Sequence, residues 1–282
     1  MKRQKKKIVN RKNYILYTGI VLSALIVLVT IFAPFLEPHD PTKMELSQKF
    51  IAPCREFIFG TDHLGRDIFS RVIEGARVSL SIAATVVFFS AVLGVVLGMF
   101  SGYVGGATDM LIMRVVDVLL AFPTIIFALA LSTMMGTGQT NLIIAITCIQ
   151  WTRYARIARG ETLMLKNAEY VEAAKSIGNN TVQILGKYIF PNVISKIIIL
   201  ASLDIGTIIL YCASLSFLGL GAQPPSPDWG VISEGKDYMQ YAPWLTLFPG
   251  LTIAFSALAF NMLGDGLRDL LDPRMKEVIR TD

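Results

Sequence analysis

The sequence predicts an all-helical integral membrane protein with six membrane-spanning helices. Of the 282 residues, 53% are hydrophobic and only 17% are charged, so the chain has more apolar surface than one soluble core would bury. Long uncharged runs recur along the chain, and a helix needs roughly 20 apolar residues to cross a bilayer. The uneven distribution of Lys and Arg among the connecting segments then indicates which segments are cytoplasmic.

The apolar runs define the six spans in order. Three runs carry no charge and predict spans one, two and six: residues 14–36, 79–103 and 241–264. The uncharged stretch 118–152 predicts spans three and four, because GTGQTN at 136–141 has the composition of a tight turn. Span four is short, so we expect the stem of Arg153 to reach the membrane interface. Residues 192–218 predict span five.

The basic residues place both termini on the cytoplasmic side. Segment 1–13 contains seven Lys and Arg, segment 153–187 contains six, and the tail 267–282 contains four. In contrast, segment 219–240 contains only one. The loop 37–78 has six basic residues balanced by seven acidic ones, and long loops weigh less in orientation. We therefore predict a cytoplasmic N-terminus and tail, an extracytoplasmic loop over 37–78 and a membrane core over 79–266.

A cytoplasmic insert over residues 153–191 separates spans four and five. Its sequence predicts two short helices with a corner between them, because Gly178 can adopt the left-handed conformation that ends a helix. Asn180 can cap the second helix, with Gln183 reaching back three residues later. Pro191 then marks the start of span five. The insert is therefore predicted to be a compact helix-turn-helix at the inner face of the membrane.

The first short helix, predicted from about residue 163 to 177, carries the candidate contact residues. Ala173 and Ala174 would form a face of small side chains that another protein can approach closely, and Glu172 supplies a hydrogen-bond acceptor beside them. An amphipathic hairpin lying on lipid headgroups would have a similar composition. The insert's composition alone leaves both interpretations open.

Four motifs resemble one family of transport proteins. They are EAAKSIG at 172–178 with Pro191 thirteen positions after its glycine, FGTDHLGRDIFSRVIEGARVSL at 59–80, SLSFLGLGAQPPSPDWG at 214–230 and LGDGLRDLLDPR at 263–274. The first resembles the EAA loop of binding-protein-dependent ABC importers. Together the four resemble the C-type permease subunit of the dipeptide, oligopeptide and nickel importers, and the resemblance covers nearly the whole chain.

The resemblance implies the type I ABC importer permease fold and a set of partners. A permease of this kind forms half of a pore with a second permease, in a bacterial inner membrane. Two cytoplasmic ATPase subunits bind the coupling helices, and an extracytoplasmic binding protein delivers the substrate. Glu172, Ala173, Ala174, Gly178 and Pro191 match the coupling motif. The chain contains no GxxxxGK[ST] phosphate loop, so ATP and Mg are expected on the partner subunits and no cofactor on this chain.

Other charged residues have separate interpretations. Asp204 lies well inside span five, where it either lines the pore or contacts the partner permease, or else forms a helix-packing hydrogen bond. In the loop before span two, we expect Asp62, Arg66 and Asp67 to belong to an interfacial elbow helix with local ion pairs. The histidines and cysteines have no metal-ligand spacing, and no nucleic-acid-binding motif appears.

Two other functions were weighed against the importer interpretation. A stand-alone ion-driven transporter would show inverted repeats with paired helix breaks, and Pro123 and Pro249 are candidate breaks without a matching second half. An intramembrane aspartyl protease would need a carboxylate pair at one depth. Asp204 and Asp265 are the only candidates, and their positions along spans five and six place them at different depths.

Overall fold

The computed structural model describes residues 2–221, 229–231 and 235–271, with side chains from residue 14 onward. Its described part is almost entirely helical, and its one β-bridge joins Thr61 to Asp67. The α-helices in chain order are α1 (Lys2–Ile31), α2 (Ala33–Leu36), α3 (Ile68–Val104), α4 (Gly106–Leu120), α5 (Thr124–Met135), α6 (Gln139–Leu165), α7 (Glu169–Ser176), α8 (Thr181–Ile184), α9 (Phe190–Phe217) and α10 (Trp244–Leu271). The all-helical prediction is confirmed.

The six predicted spans correspond to α1, α3, the pair α4 and α5, α6, α9 and α10. Within the described ranges, four helical runs are long and apolar enough to cross a membrane by themselves: Tyr14–Ile31, Ile68–Val104, Thr181–Phe217 and Trp244–Leu271. A fifth candidate is the pair α4 and α5, which meets the test together. α6 has 27 residues but does not meet the same test, and its second half contains Arg153, Arg156 and Arg159.

The third span differs most from its prediction. It begins at Gly106 rather than near residue 118, and it bends by 90° between α4 and α5. The bend lies at Pro123, which has no backbone N–H and disfavours a helical conformation in the preceding residue. The break therefore follows from the proline, and neither half is long enough to cross a bilayer on its own.

The predicted elbow helix is wrong as a separate element. Asp62 and Arg66 lie in a turn before α3, and Asp67 is the N-cap of α3, accepting hydrogen bonds from the backbone N–H groups of Phe69 and Ser70. Span two consequently starts at Ile68, eleven residues earlier than its apolar run. The expectation failed because capping by Asp67 lets one continuous helix run from the loop into the membrane.

The turn before α3 is organised by Asp62. Its carboxylate accepts hydrogen bonds from Arg66 Nε and Arg71 Nη1, both at 2.6 Å, and from the backbone N–H groups of Leu64 and Arg66. Burial alone would raise the pKa of Asp62, but the two guanidinium groups and the backbone donors outweigh burial and hold this pKa below its ordinary value. The expected local ion pairs are present, with Asp62 as their shared acceptor.

The core is built mainly where α3 lies along α6. Gly94, Gly98 and Gly102 recur every four residues of α3, and each faces the backbone of α6 so closely that an added Cβ would lie 2.3 to 2.9 Å from an α6 backbone oxygen. Small residues at this spacing let membrane helices approach closely. On the other side of the molecule, α10 packs against both α1 and α9.

Trp229 is a buried contact of α3. It follows the proline-rich stretch GAQPPSP at 221–227, of which residues 222–227 lie outside the described part. Trp229 itself is buried: its indole N–H donates to the Val72 carbonyl at 3.0 Å and its backbone N–H donates to Ser79 Oγ at 3.2 Å. Trp229 thus connects residues 229–231 to α3 through two hydrogen bonds.

Candidate functional site

The corner of the insert between α6 and α9 is a helix C-cap centred on Gly178. Gly178 has φ +89°, which confirms the predicted left-handed conformation. Its N–H donates to the Lys175 carbonyl at 2.9 Å, and the N–H of Asn179 donates to the Ala174 carbonyl at 3.2 Å. This pair of bonds is the Schellman pattern. The Asn179 side-chain amide adds a second bond to Ala174, at 3.0 Å.

The second short helix begins with the predicted capping box. Asn180 Oδ1 accepts from the Gln183 backbone N–H at 2.9 Å, and Gln183 Oε1 accepts from the Asn180 backbone N–H at 3.0 Å. Both sides of the corner thus satisfy their free backbone groups locally. The angle between α7 and α8 is therefore defined by the sequence from Lys175 to Gln183.

The chain stays helical from the corner into the membrane. α8 is followed by a π-helical turn, Leu185–Ile189, and then by α9. Pro191 is the second residue of α9, so it lies at the start of the fifth span as predicted, and no break precedes it. A proline ring collides with the carbonyl four residues earlier in a regular helix, so the turn before Pro191 widens. In this wider turn the Phe190 backbone N–H donates to the Leu185 carbonyl, five residues back.

α7 begins later than predicted, because the chain turns between Lys166 and Ala168, after the end of α6. Val171 and Ala174 are buried, and both face inward. Val171 packs with Ile184 into a cluster shared with α3, α6 and α9. The prediction that Ala174 is a contact surface is therefore wrong, whereas Glu172 and Ala173 are exposed. The three-residue spacing of Val171 and Ala174 on one helical face was the signal that could have shown this.

Two lysines connect α7 and the chain before it to the C-terminal end of α3. Lys175 Nζ donates to the Lys166 carbonyl at 3.1 Å and lies 5.5 Å from the centroid of the Tyr103 ring. Lys166 Nζ lies 3.4 Å from the Gly102 carbonyl oxygen. These contacts, which sequence analysis missed, add to the buried apolar side of α7. The insert is thus attached to the membrane helices at several points.

The tip of the insert is apolar and uncovered. Ile177 is 80% exposed and Val182 is 78% exposed, on either side of the Gly178 corner. Large aliphatic side chains at such exposure are unusual where the surrounding residues are polar, and they mark interaction surfaces when they occur together. Sequence analysis did not single out either residue, since their exposure depends on which face of each short helix packs inward.

Two protein families match this chain. The family described as "Binding-protein-dependent transport system inner membrane component" matches residues 94–277, and the "N-terminal TM domain of oligopeptide transport permease C" matches residues 11–53. The chain belongs to this transport family. The resemblance drawn from the sequence motifs is confirmed, and the protein is an inner-membrane permease component of an ABC importer.

Curated relatives of this permease match along almost the entire chain. The dipeptide transport system permease protein DppC of Alkalihalophilus pseudofirmus is 41% identical over 94% of this chain and 88% of its own length. The glutathione transport system permease protein GsiD of Escherichia coli O157:H7 is 44% identical, with the same coverage. The probable D,D-dipeptide transport system permease protein DdpC of Escherichia coli K12 is 40% identical over 91% of this chain and 87% of its own length.

A solved structure shows the same fold. The permease superposes on a chain of the MetNI methionine ABC transporter, determined in inward-facing conformations, with a TM-score of 0.59. The match covers 73% of this permease and 98% of that chain at 18% identity. The predicted type I permease fold is therefore confirmed.

Asp204 of the permease joins two membrane helices. It is fully buried on α9, where it accepts from Gln150 Nε2 at 2.8 Å and from Arg153 Nη1 at 2.6 Å, both on α6. Its environment is that of a paired carboxylate at a helix contact. Arg153 therefore pairs with Asp204 while 42% of its side chain remains exposed.

We expect Asp204→Leu to destabilise the permease by about 1–2 kcal/mol, because the buried Gln150 amide loses its acceptor and the half-exposed Arg153 loses its counter-ion. Thermal unfolding of the purified protein in detergent would measure this loss. The double variant with Arg153→Leu should recover part of the stability. A stable Asp204→Leu variant with reduced uptake would instead assign Asp204 to the transport pathway.

Proposed function

We propose that this permease forms half of a translocation pore and is driven by two cytoplasmic ATPase subunits that dock on the insert from α7 to α8. The observation that carries the proposal is the two-sided construction of this insert. Val171 and Ile184 pack against the membrane helices, while Ile177 and Val182 remain exposed at its tip. A force applied to the tip would therefore be transmitted to α3, α6 and α9.

Each residue of the coupling motif has a separate part in this proposal. Glu172 and Ala173 lie on the exposed side of α7 and would contact the ATPase subunit beside Ile177. Gly178 sets the angle of the corner. Pro191 sets the wide turn through which α8 continues into α9. Movement of the insert then tilts α9 as a rigid body, which is one recurrent way to switch between two packings of a helical bundle.

The energy source would lie outside this chain. The sequence contains no phosphate-binding loop of the GxxxxGK[ST] type, so ATP and Mg would bind to the partner subunits, and this chain would act without a cofactor. Within the described residues, no cluster of His, Cys, Asp or Glu has the geometry of a metal site. Catalysis would then reside in the partner subunits, and this chain would be the transport subunit that they drive.

The proposed orientation follows the distribution of basic residues. Both termini and the α7 to α8 insert would face the cytoplasm, and the loop between α2 and α3 would face outward. An extracytoplasmic substrate-binding protein would dock there and deliver cargo. The last eleven residues, part of the predicted cytoplasmic tail 267–282, lie outside the described part.

The proposed cargo is a short peptide. The relatives reported above carry the names of dipeptide, D,D-dipeptide and glutathione systems, and none of these is named for nickel. Uptake of labelled dipeptides, glutathione and chelated nickel by a deletion strain, with and without this permease, would separate the possibilities. We expect restored uptake of a peptide and no change in nickel.

Co-purification tests the coupling proposal directly. Tagged permease, expressed with its neighbouring transport genes, should recover an ATPase subunit, and Ile177→Ser combined with Val182→Ser should reduce that recovery about tenfold, since both apolar contacts are lost. The matched control is Met164→Ser, an exposed apolar residue near the end of α6. Uptake that persists without any ATPase would support the alternative, an ion-driven secondary transporter, which family membership disfavours.

A further inference from the structure

Helix α4 has two different faces. Its inner face packs against α3 and α6 through Met113, Val116 and Leu120. Its outer face consists of Met110, Leu111, Arg114, Val115 and Val118, whose positions cover about 140° of the helix circumference. The exposed fraction of the four apolar side chains ranges from 48% at Val115 to 70% at Leu111. The outer face of α4 is thus a large apolar surface with one arginine in it.

Arg114 lies in the middle of this surface. Met110 and Leu111 precede it, and Val115 and Val118 follow it, so apolar side chains extend beyond it toward both ends of the helix. In the part of the chain that the structure describes, no ion pair or hydrogen bond involves its guanidinium group. Asp117, at the edge of the same face, pairs with Arg156 of α6 at 2.7 Å, and both side chains are more than half exposed.

Lipid does not suit this face. α4 belongs to the bent pair of helices that together have the length and composition of a span, and a charged side chain facing hydrocarbon is costly. An arginine that reaches headgroups normally lies at the end of an apolar face rather than at its middle. Water does not suit the face either, because four large apolar side chains would be hydrated.

The outer face of α3 shows the contrast. Phe88, Val92 and Val96 are exposed there to a similar degree, and no charged residue occurs in α3 between residues 78 and 104. That composition is what a lipid-facing surface requires. The same molecule therefore has one outer surface suited to lipid and another that needs a protein.

We propose that the outer face of α4 is the surface on which the second permease subunit packs, and that this subunit supplies a carboxylate to Arg114. The proposal rests on the proposed pairing of two permeases. Protein interfaces are enriched in Met and Arg at their apolar centres, which is the composition found here. The Asp117–Arg156 pair lies at the edge of the surface, where interfaces are polar.

Site-specific photocrosslinking tests this placement in the complete transporter. A benzophenone amino acid would replace Leu111 or Val118 on α4, and Val92 or Val96 on α3 as matched controls, in cells that express all subunits. We expect covalent adducts with the second permease from both α4 positions, and adducts with lipid alone from the α3 positions. Lipid adducts alone from α4, or equal capture of the second permease from α3, would overturn the proposal.

Charge reversal tests the role of Arg114. Arg114→Glu should reduce recovery of the second permease at least tenfold, since it would place like charges opposite each other across the interface, and Arg114→Lys should retain most of the recovery. Recovery and thermal unfolding of the tagged chain itself should not change, because the side chain is exposed. Equal recovery with wild type and Arg114→Glu would overturn this inference alone. Absence of any second permease from the wild-type complex would overturn the proposed pairing as well.

Discussion

Replacing Gly178 with aspartate should abolish most substrate uptake while the chain still inserts and folds. At φ +89° a residue with a Cβ is strained by roughly 1–2 kcal/mol, so the corner between α7 and α8 would leave its present angle in a large fraction of molecules. An added Cβ would meet no atom within 4 Å, so the damage comes from backbone strain without a collision. Uptake, ATPase activity and membrane insertion would be measured together.

Gly186→Asp is the matched control for this variant. Gly186 lies in the π-helical turn after α8, is exposed, and also has no neighbour within 4 Å of an added Cβ, but its φ is not positive. Gly186→Asp therefore introduces the same carboxylate on the same insert without the strain of a left-handed backbone. We expect near-normal uptake from it. Equal uptake by the two variants would contradict the role assigned to the corner.

Replacing Gly98 with alanine should destabilise the whole permease. The new Cβ would lie 2.3 Å from the Ala155 carbonyl oxygen and 2.9 Å from the Ala155 Cα, both part of the α6 helix and unable to rotate away. Overpacking of this kind costs about 1–3 kcal/mol, and more where backbone must move. Since α3 and α6 form the most extensive helix contact of the molecule, we expect a lower thermal unfolding midpoint in detergent.

Gly160→Ala is the corresponding control within α6 itself. An added Cβ there meets nothing within 4 Å, so the substitution should be neutral or stabilise the helix by up to about 1 kcal/mol through the higher helix propensity of alanine. Opposite shifts of the unfolding midpoint for the two variants are the expected result. A similar midpoint for both would mean that α3 and α6 can separate at little cost.

The membrane class, the order of the spans and the corner of the insert could be read from the sequence because each depends on neighbours in the chain. Uncharged runs of span length need no tertiary partner to indicate a bilayer. The left-handed glycine and the Asn180 capping box involve residues within five positions of each other. Family motifs added the identity of the transporter component, which the comparisons then confirmed.

Only the tertiary structure decided which side of each element is covered. Ala173 and Ala174 are adjacent and chemically identical, yet one is exposed and the other buried, because the rotation of α7 is set by Val171 against α3, α6 and α9. Asp204 and Arg153 are 51 residues apart, so only helix packing could pair them. Local sequence determines the conformation of a segment, whereas burial depends on distant segments that the local pattern does not contain.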